Sequence, residues 1–290
     1  MSIHQLNFSG KDKVEVAIDR LKSFEPEEGY YLAFSGGKDS VVIKALADMA
    51  EVKYDAHYNH TSVEPPELVQ FVREYHKDVQ IEWNRYKDGS RITMWNLIPK
   101  RSFPPTRIAR YCCQELKEHG GDGRLVITGV RWAESANRKK NQGEVTIYKP
   151  NKDVIEELAD NGSFSLTPRG GVVLTNDNDD SRKMVEQCYK LTKTVINPII
   201  DWTDAEVWEF IHEYNITYCK LYDEGFHRLG CIGCPMATKQ KREMEFERWP
   251  KYKELYIRAF DKAVKHMHER GRETKWKNGA DMFEWWVNTF

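Results

Sequence analysis

Residues 30–40 constrain the fold of this 290-residue chain more than any other stretch. An apolar run is followed directly by a polar loop, and the two read Tyr30-Tyr31-Leu32-Ala33-Phe34 and Ser35-Gly36-Gly37-Lys38-Asp39-Ser40. After the loop, apolar residues recur at the spacing of one helix face, at Val41, Val42, Ile43, Leu46 and Ala47. This order predicts a buried strand, a tight loop and a helix.

The loop has the composition of a phosphate-binding loop. Its two glycines permit positive φ angles and let a ligand approach the backbone closely. The N–H groups and the dipole at the start of the helix favour an anion. Lys38 adds a mobile positive charge, and Ser35 and Ser40 add hydroxyl donors. A Walker A loop needs a glycine five residues before the Gly-Lys pair, and Leu32 occupies that position.

Strand and helix patterns alternate along the rest of the chain. We predict further strands at 52–58, 79–83, 125–130 and 195–200, and a first helix with Val14, Ala17, Ile18 and Leu21 on one face. Such alternation predicts an α/β fold with a doubly wound, mostly parallel sheet. Ligands of these sheets bind beyond the carboxyl ends of the strands. The loop at 35–40 and the strand ends at 57–62 and 129–135 should therefore converge.

Two later regions depart from this alternation. Residues 139–190 are rich in polar turn formers, with short strand candidates at 145–148 and 172–174, and we interpret them as a partly mobile insertion attached to the sheet. We interpret the acidic run at 176–180 as a solvated loop. Residues 252–267 carry the stripe of a long amphipathic helix. We expect a nucleotide-binding domain at 1–240 and a C-terminal helical segment at 241–290.

The bulk composition narrows the class of protein. The chain is 40% hydrophobic and 31% charged, and no run approaches the ~18 apolar residues of a membrane helix. The first residues lack signal-peptide character, so we expect a cytoplasmic protein with no membrane partner. The net charge of −1 does not indicate a nucleic-acid partner, although it leaves room for a local basic patch.

The six cysteines indicate metal or catalytic roles rather than disulfides in such a compartment. Cys112 and Cys113 are adjacent, and Cys231 and Cys234 form a C-x-x-C pair. Four thiolates suit zinc or an iron–sulfur cluster. Adjacent cysteines are unusual for structural zinc, where the ligands are spaced, but they can reach two irons of a larger cluster.

These motifs resemble those of a known family. The order Ser-Gly-Gly-Lys-Asp-Ser after a strand resembles the loop of the PP-loop ATP pyrophosphatase superfamily. A Cys-Cys pair followed far downstream by C-x-x-C is similar to the 4Fe–4S pattern of adenylylsulfate reductases, which belong to the phosphoadenosine phosphosulfate (PAPS) reductase family. Further similar segments are Gly129-Val130-Arg131 with Arg138, Asn197-Pro198 with Asp201-Trp202, and Leu221-Tyr222-Asp223. The resemblance implies the adenine nucleotide alpha hydrolase-like fold.

The resemblance also implies the site. The residues expected to hold the nucleotide are Ser35, Gly36, Gly37, Lys38, Asp39, Ser40, Gly129, Arg131 and Arg138. Lys38, Asp39 and Arg131 are the expected catalytic residues, with Asp39 orienting the loop or a Mg²⁺ ion and the arginines contacting anions. Cys112, Cys113, Cys231 and Cys234 would hold a 4Fe–4S cluster beside ATP or a related adenine nucleotide.

Two departures from the reductases decide the expected activity. Sulfonucleotide reductases carry a catalytic cysteine near the C-terminus, whereas no cysteine follows Cys234 here. Their phosphate loop is degenerate, whereas this one is complete, as in the ATP-using members. We therefore expect ATP-dependent adenylation of an acceptor coupled to sulfur transfer.

Several alternatives stay open at this point. One is a sulfonucleotide reductase that uses Cys188 or Cys219, and another is a non-catalytic nucleotide or redox sensor. The acceptor stays open between a nucleic acid, a small metabolite and sulfate. A sulfur-donor protein and a homodimer are further partners that the sequence leaves open.

Overall fold

A computed structural model describes residues 2–118 and 120–289. The chain folds into two compact units. The first, here called the sheet unit, comprises Met1–Tyr58, Phe71–Gln80 and Gly120–Tyr222. The second, the helical unit, comprises Asn59–Gln70, Ile81–His119 and Asp223–Phe290. The units interleave along the sequence, so their boundaries differ from the predicted domain boundary at residue 240. That boundary stays a prediction.

The described residues form one eight-stranded sheet. Its strands are β1 (Tyr30–Ala33), β2 (Tyr54–Asn59), β3 (Gln80–Glu82), β4 (Val126–Ile127), β5 (Val145–Ile147), β6 (Phe164–Leu166), β7 (Val172–Leu174) and β8 (Thr194–Ile196). The order is β3-β2-β1-β4-β8-β5-β7-β6. The pairs β1–β2, β1–β4 and β4–β8 are parallel, which confirms the predicted α/β class.

The helices of the sheet unit begin with α1 (Lys13–Ser23) and α2 (Lys38–Ala50). They continue with α6 (Ala136–Asn141), α7 (Lys152–Asn161), α8 (Asp179–Leu191) and α9 (Asp204–Glu213). Helix α2 packs against α1 and α9, and its buried face includes Val42, Ile43 and Leu46. Thr203 and Glu206 form a capping box at the start of α9.

Residues 139–190 form part of the sheet itself, whereas we predicted an insertion attached to it. Strands β5, β7 and β6 extend the same sheet in antiparallel pairs, so the region continues the core beyond β8. The interpretation of the acidic run as a loop is wrong for its second half. Asn178 caps α8, and Asp179 and Asp180 occupy the first turn, where carboxylates favour the positive end of the helix dipole.

The helical unit is built around α11 (Pro250–Glu269). Its other helices are α4 (Met94–Arg101), α5 (Tyr111–Leu116), α10 (Lys239–Arg248) and α12 (Gly279–Thr289). Helix α3 (Pro66–Tyr75) begins in this unit and ends in the other. The predicted stripe of α11 is buried against α4 and α12, and Trp286 of α12 packs on Tyr256 and Phe260. The aromatic C-terminal segment therefore docks within its own unit.

A search of residues 2–118 and 120–289 for a membrane-spanning helix finds none that has both the necessary length and apolarity.

Candidate nucleotide site and cysteine cluster

The loop between β1 and α2 has the predicted strand, loop and helix order. Gly36 adopts a positive φ of 73°, a conformation that glycine tolerates without cost, and it turns the chain from the strand into the helix. Gly37 is the N-cap of α2 and has no side chain to cap it. The first turn of α2 therefore presents backbone N–H groups and the positive end of the helix dipole at the loop.

The two loop serines are linked within the loop. The Ser40 hydroxyl donates to the Gly37 carbonyl oxygen at 2.8 Å. The hydroxyl oxygens of Ser35 and Ser40 lie 3.3 Å apart. Because both hydroxyls lie at the start of α2, they are placed to meet the same anion as the backbone N–H groups.

Lys38 is held by ionic contacts, in contrast to the mobile charge that we expected. The residue is 4% exposed, and its Nζ lies 3.0 Å from Oδ1 of Asp204 and 3.7 Å from Oδ2 of Asp39. Its backbone N–H donates to the Tyr222 hydroxyl at 2.9 Å, and its ammonium lies 5.9 Å from the centre of that ring. The Lys38 ammonium is thus already aligned along a pair of carboxylates beside the loop.

Arg131 lies beneath the same carboxylates. It is 1% exposed; its Nε donates to Asp39 at 2.7 Å and one terminal nitrogen donates to Asp204 at 3.0 Å. Its other terminal nitrogen donates to the Trp202 carbonyl oxygen at 3.3 Å. Burial opposes ionisation of Asp204, but Lys38 and Arg131 outweigh it and lower the pKa of that carboxyl. In this arrangement Arg131 fixes two carboxylates, while its predicted contact with an anion stays a prediction.

Gly129 and Arg138 complete the predicted set. A Cβ on Gly129 would lie 2.9 Å from both the Cβ and the carbonyl oxygen of Asp39, so only glycine lets the end of β4 approach the loop this closely. Arg138 lies on α6 and pairs with Glu134. Its side chain is 28% exposed, so it is more accessible than Arg131.

Asp204 and Tyr222 lie beside the loop, although neither was among the predicted site residues; Tyr222 appeared only within the family-like segment Leu221-Tyr222-Asp223. Asp204 occupies the first turn of α9, next to the capping box, and that position suggested only a helix start. Tyr222 ends a short 3₁₀ helix, Lys220–Tyr222. Their contacts with Lys38 depend on tertiary packing between segments more than 160 residues apart in sequence, which no local pattern shows.

The four predicted cluster cysteines all belong to the helical unit. Cys112 and Cys113 lie in α5. Cys231 and Cys234 lie in a turn closed by a hydrogen bond from the Cys234 N–H to the Cys231 carbonyl at 3.2 Å. The Tyr256 hydroxyl donates to the Ile232 carbonyl at 2.9 Å within this turn. The turn is thus anchored to the central helix of the unit.

The thiols interact electrostatically with one another. A hydrogen bond from Cys112, and then the Arg110 side chain, lower the pKa of Cys113 despite its burial. The bond to Cys113 and then burial raise the pKa of Cys112, with smaller contributions from Cys231 and Cys234. Burial raises the pKa of Cys231 to about 11. The electrostatic interaction with the Cys231 sulfur is the largest cause that raises the pKa of Lys117, and a hydrogen bond between the two side chains adds to it.

Four thiols are the donor set that an iron–sulfur cluster requires, and all four lie in the helical unit. Within the described residues, no group of three or more His, Cys, Asp or Glu side chains has the geometry to hold a metal ion. The thiol set is therefore a candidate site by its chemistry and its mutual influence.

The two other cysteines are buried in the sheet unit. Cys219 is 1% exposed and Cys188 is 6% exposed. Burial raises the pKa of Cys188 to about 11. Neither has the accessible position of an attacking thiolate.

The phosphoadenosine phosphosulfate reductase domain model matches residues 29–237 of this chain. The match covers more than half of the chain and includes both the phosphate loop and all four cysteines of the thiol set. The chain belongs to the PAPS reductase family of the PP-loop superfamily.

Similar proteins of two kinds accompany this family match. Two uncharacterised proteins of Methanocaldococcus jannaschii are 28% and 26% identical over 80% and 77% of the chain, which covers 46% and 40% of them. The chain thus spans less than half the length of these relatives. The adenosine 5′-phosphosulfate reductase of Neisseria meningitidis is 38% identical over 53 residues, 18% of this chain and 22% of that protein.

Solved structures give a weaker likeness. A PAPS reductase from Candida auris in a phosphate complex has a TM-score of 0.42 and 14% identity, over 80% of this chain and 98% of that chain. An FMN adenylyltransferase from Candida glabrata, in complex with FMN and an ATP analogue, has a TM-score of 0.43 and 14% identity, over 81% of this chain and 72% of that chain.

Proposed function

We propose that the chain is an ATP-using enzyme that adenylates an acceptor and couples this step to sulfur transfer. The observation that carries the proposal is the complete loop at the start of α2, with Gly36 at positive φ and Lys38, Ser35 and Ser40 gathered beside it. A loop with this many donors suits the three phosphates of ATP better than the single 5′-phosphosulfate group of a sulfonucleotide.

In the adenylation step, an oxygen of the acceptor attacks the α-phosphorus of ATP. The bond from that phosphorus to the α–β bridging oxygen breaks, pyrophosphate leaves, and the acceptor proton passes to solvent. The loop N–H groups and Lys38 stabilise the negative charge that grows on the pyrophosphate. A hydrosulfide ion then attacks the adenylated carbon of the acceptor, the bond from that carbon to the AMP oxygen breaks, and AMP leaves with the oxygen, so that a C–S bond replaces a C–O bond with no change of oxidation state.

The contacts of Lys38 allow it to bind a phosphate group. Its ammonium is buried but pairs with Asp204, whose side chain is 61% exposed. A bound phosphate can replace the Asp204 carboxylate as the partner of Lys38, while Asp204 keeps its contact with Arg131. Asp39 stays on Arg131 and is the carboxylate nearest the loop for orienting Mg²⁺.

Cys112, Cys113, Cys231 and Cys234 would hold a 4Fe–4S cluster. When bound, such a cluster supplies electron-transfer chemistry or an iron site for sulfur. Lys117 offsets part of the negative charge that four thiolates collect, and Thr61, whose hydroxyl lies 3.5 Å from Cys231 Sγ, adds a polar contact to the same sulfur.

Reduction of a sulfonucleotide is the second candidate, favoured by the local similarity to adenosine 5′-phosphosulfate reductases. It needs a free, activated thiol that can reach the substrate. Cys188 and Cys219 are buried, and the pKa of Cys188 is raised rather than lowered. These observations favour the ATP-using enzyme.

Calorimetric titration of the anaerobically purified chain with ATP and Mg²⁺, AMP and PAPS tests the proposal. We expect ATP with Mg²⁺ to bind and to bind more tightly than PAPS. Tighter binding of PAPS, or binding of none of the three, would contradict it.

A further inference from the structure

The helical unit has a net positive charge and the sheet unit a net negative charge. The helical unit has 22 Lys and Arg against 17 Asp and Glu, whereas the sheet unit has 22 against 28. The near-neutral total conceals this division, which is a recognised sign of a polyanionic partner.

The basic residues are concentrated in residues 85–110, which end two positions before Cys112. This segment holds seven basic residues and one acidic residue, Asp88. Asp88 accepts two hydrogen bonds from Ser90, at 2.9 Å and 2.6 Å, so its carboxylate is engaged within its own turn. The basic side chains are Arg85, Lys87, Arg91, Lys100, Arg101, Arg107 and Arg110, and all of them are exposed.

The hairpin at 84–92 brings two of these charges together. Arg85 and Arg91 face each other across an antiparallel bridge, with Lys87 in the turn between them. Like charges directly opposite each other destabilise a strand pair. Across residues 2–118 and 120–289, neither arginine forms an ion pair with a carboxylate, nor do Lys87 and Lys100. No ion pair offsets this repulsion within the described residues, and an anion between the arginines would reduce it.

Aromatic rings accompany the cations. The Arg91 guanidinium lies 4.9 Å from the centre of the Trp83 ring, and the Lys100 ammonium lies 3.8 Å from the centre of the Tyr86 ring. A cationic surface interleaved with aromatic rings is typical of proteins that bind single strands, because the cations follow the phosphates and the rings meet the bases. An acidic protein would use the cations but has no need of the rings.

We propose that this basic hairpin surface, Trp83 to Lys100, binds a single-stranded or looped nucleic acid. The inference deepens the proposed function, on which it rests in one respect: the bound strand is the acceptor that is adenylated. Binding itself needs no nucleotide, so the two can fail separately.

The test is fluorescence anisotropy with labelled RNA and DNA strands longer than ~16 nucleotides, measured without ATP over a range of salt concentrations. The wild-type chain should bind with a salt dependence that reports several phosphate contacts. The double variant Lys87→Gln/Arg91→Gln should bind roughly 25-fold more weakly near 0.1 M salt, with a log–log slope smaller by about 1.4, since each single-strand contact contributes about 0.7. Because the variant removes a like-charge pair, the hairpin should keep its fold, which circular dichroism can verify.

The matched control is Lys262→Gln/Lys265→Gln, which makes the same charge change at exposed positions of α11 in the same unit. It should bind the strands within about twofold of wild type. Equal losses in the two variants, no binding by wild type, or equally tight binding of polyglutamate would overturn the proposal. The affinity of the hairpin variant for ATP, measured by calorimetry, should match that of wild type. This measurement tests nucleotide binding independently of strand binding.

Discussion

The phosphate loop and the cysteine set are built in opposite ways. The loop is six consecutive residues between one strand and one helix, and its backbone conformation follows from its own sequence. The cysteine set brings together α5 and a turn more than 110 residues later, and it depends on the packing of the helical unit. A site made of consecutive residues can be predicted from the sequence. For a site assembled from distant segments, the sequence indicates the donor residues but not their arrangement.

The two regions also differ in charge. Around the loop each cation meets a carboxylate, as in the contacts of Lys38 and Arg131 with Asp39 and Asp204. Around the cysteines, Arg110 and Lys117 interact with thiols instead. The cations of the loop are thus paired with carboxylates before a ligand arrives, while these two cations of the thiol region are paired with sulfur.

The largest expected effect falls on the cysteine set. The chain purified without oxygen should be brown and contain about four irons, and Cys231→Ser should lose nearly all of the iron and the colour because a cluster needs all its thiolates. Iron analysis and visible absorption measure this. The control Cys188→Ser, a buried cysteine of the sheet unit, should keep both. A colourless wild-type preparation with one zinc per chain would exclude the proposed cluster.

The next effect concerns the balance around the loop. Arg131→Gln should lower the free energy of unfolding by about 3 kcal/mol, because it leaves two carboxylates without their buried partner; the exposure of Asp204 limits the loss. Urea unfolding of the variant measures the change. Arg138→Gln, which breaks a more exposed pair, should cost less than about 1 kcal/mol. Similar losses of unfolding free energy in both variants would show that Arg131 contributes no more to stability than an exposed ion pair does.

Much of the sheet unit could be predicted because its pattern is local. The strand, glycine loop and helix at 30–50, the α1 face and the capping box of α9 all depend on neighbouring residues. The three-residue strand β6, Phe164–Leu166, was missed because it is too short for a period to show, and its pairing with β7 supplies its stability. The burial of Arg131 could not be predicted, since it follows from Asp204, 73 residues away.

A smaller effect distinguishes the loop lysine from its neighbours on α2. Lys38→Ala should weaken ATP binding by roughly 1.5–3 kcal/mol, because one charge-assisted phosphate contact is lost. Calorimetry measures this loss. Lys44→Ala removes a lysine from the same helix that pairs with Asp78, and it should leave the affinity unchanged. Unchanged affinity in Lys38→Ala would separate the loop from nucleotide binding.

The smallest effect is a pH dependence in the sheet unit. Burial tends to raise the pKa of Glu206, but hydrogen bonds from Lys13 and Thr203 outweigh it and lower that pKa below 4.5. The stabilisation is therefore complete above about pH 4.5 and is lost as the pH falls through the folded-state pKa. Glu206→Gln should cost about 1 kcal/mol at pH 7, and the difference from wild type should shrink in acid. Urea unfolding of both proteins at pH 7 and in acid checks this. A stability difference between them that grows in acid would contradict it.

The central claim is that this member of the family uses ATP and does not reduce a sulfonucleotide. The most direct measurement is sulfite release from PAPS and adenylylsulfate by the anaerobically purified chain, with thioredoxin as the electron donor. We predict no steady release, because the thiols outside the proposed cluster, Cys188 and Cys219, are buried. Steady sulfite release that is abolished in Cys219→Ser would contradict the claim and would identify Cys219 as the attacking thiol.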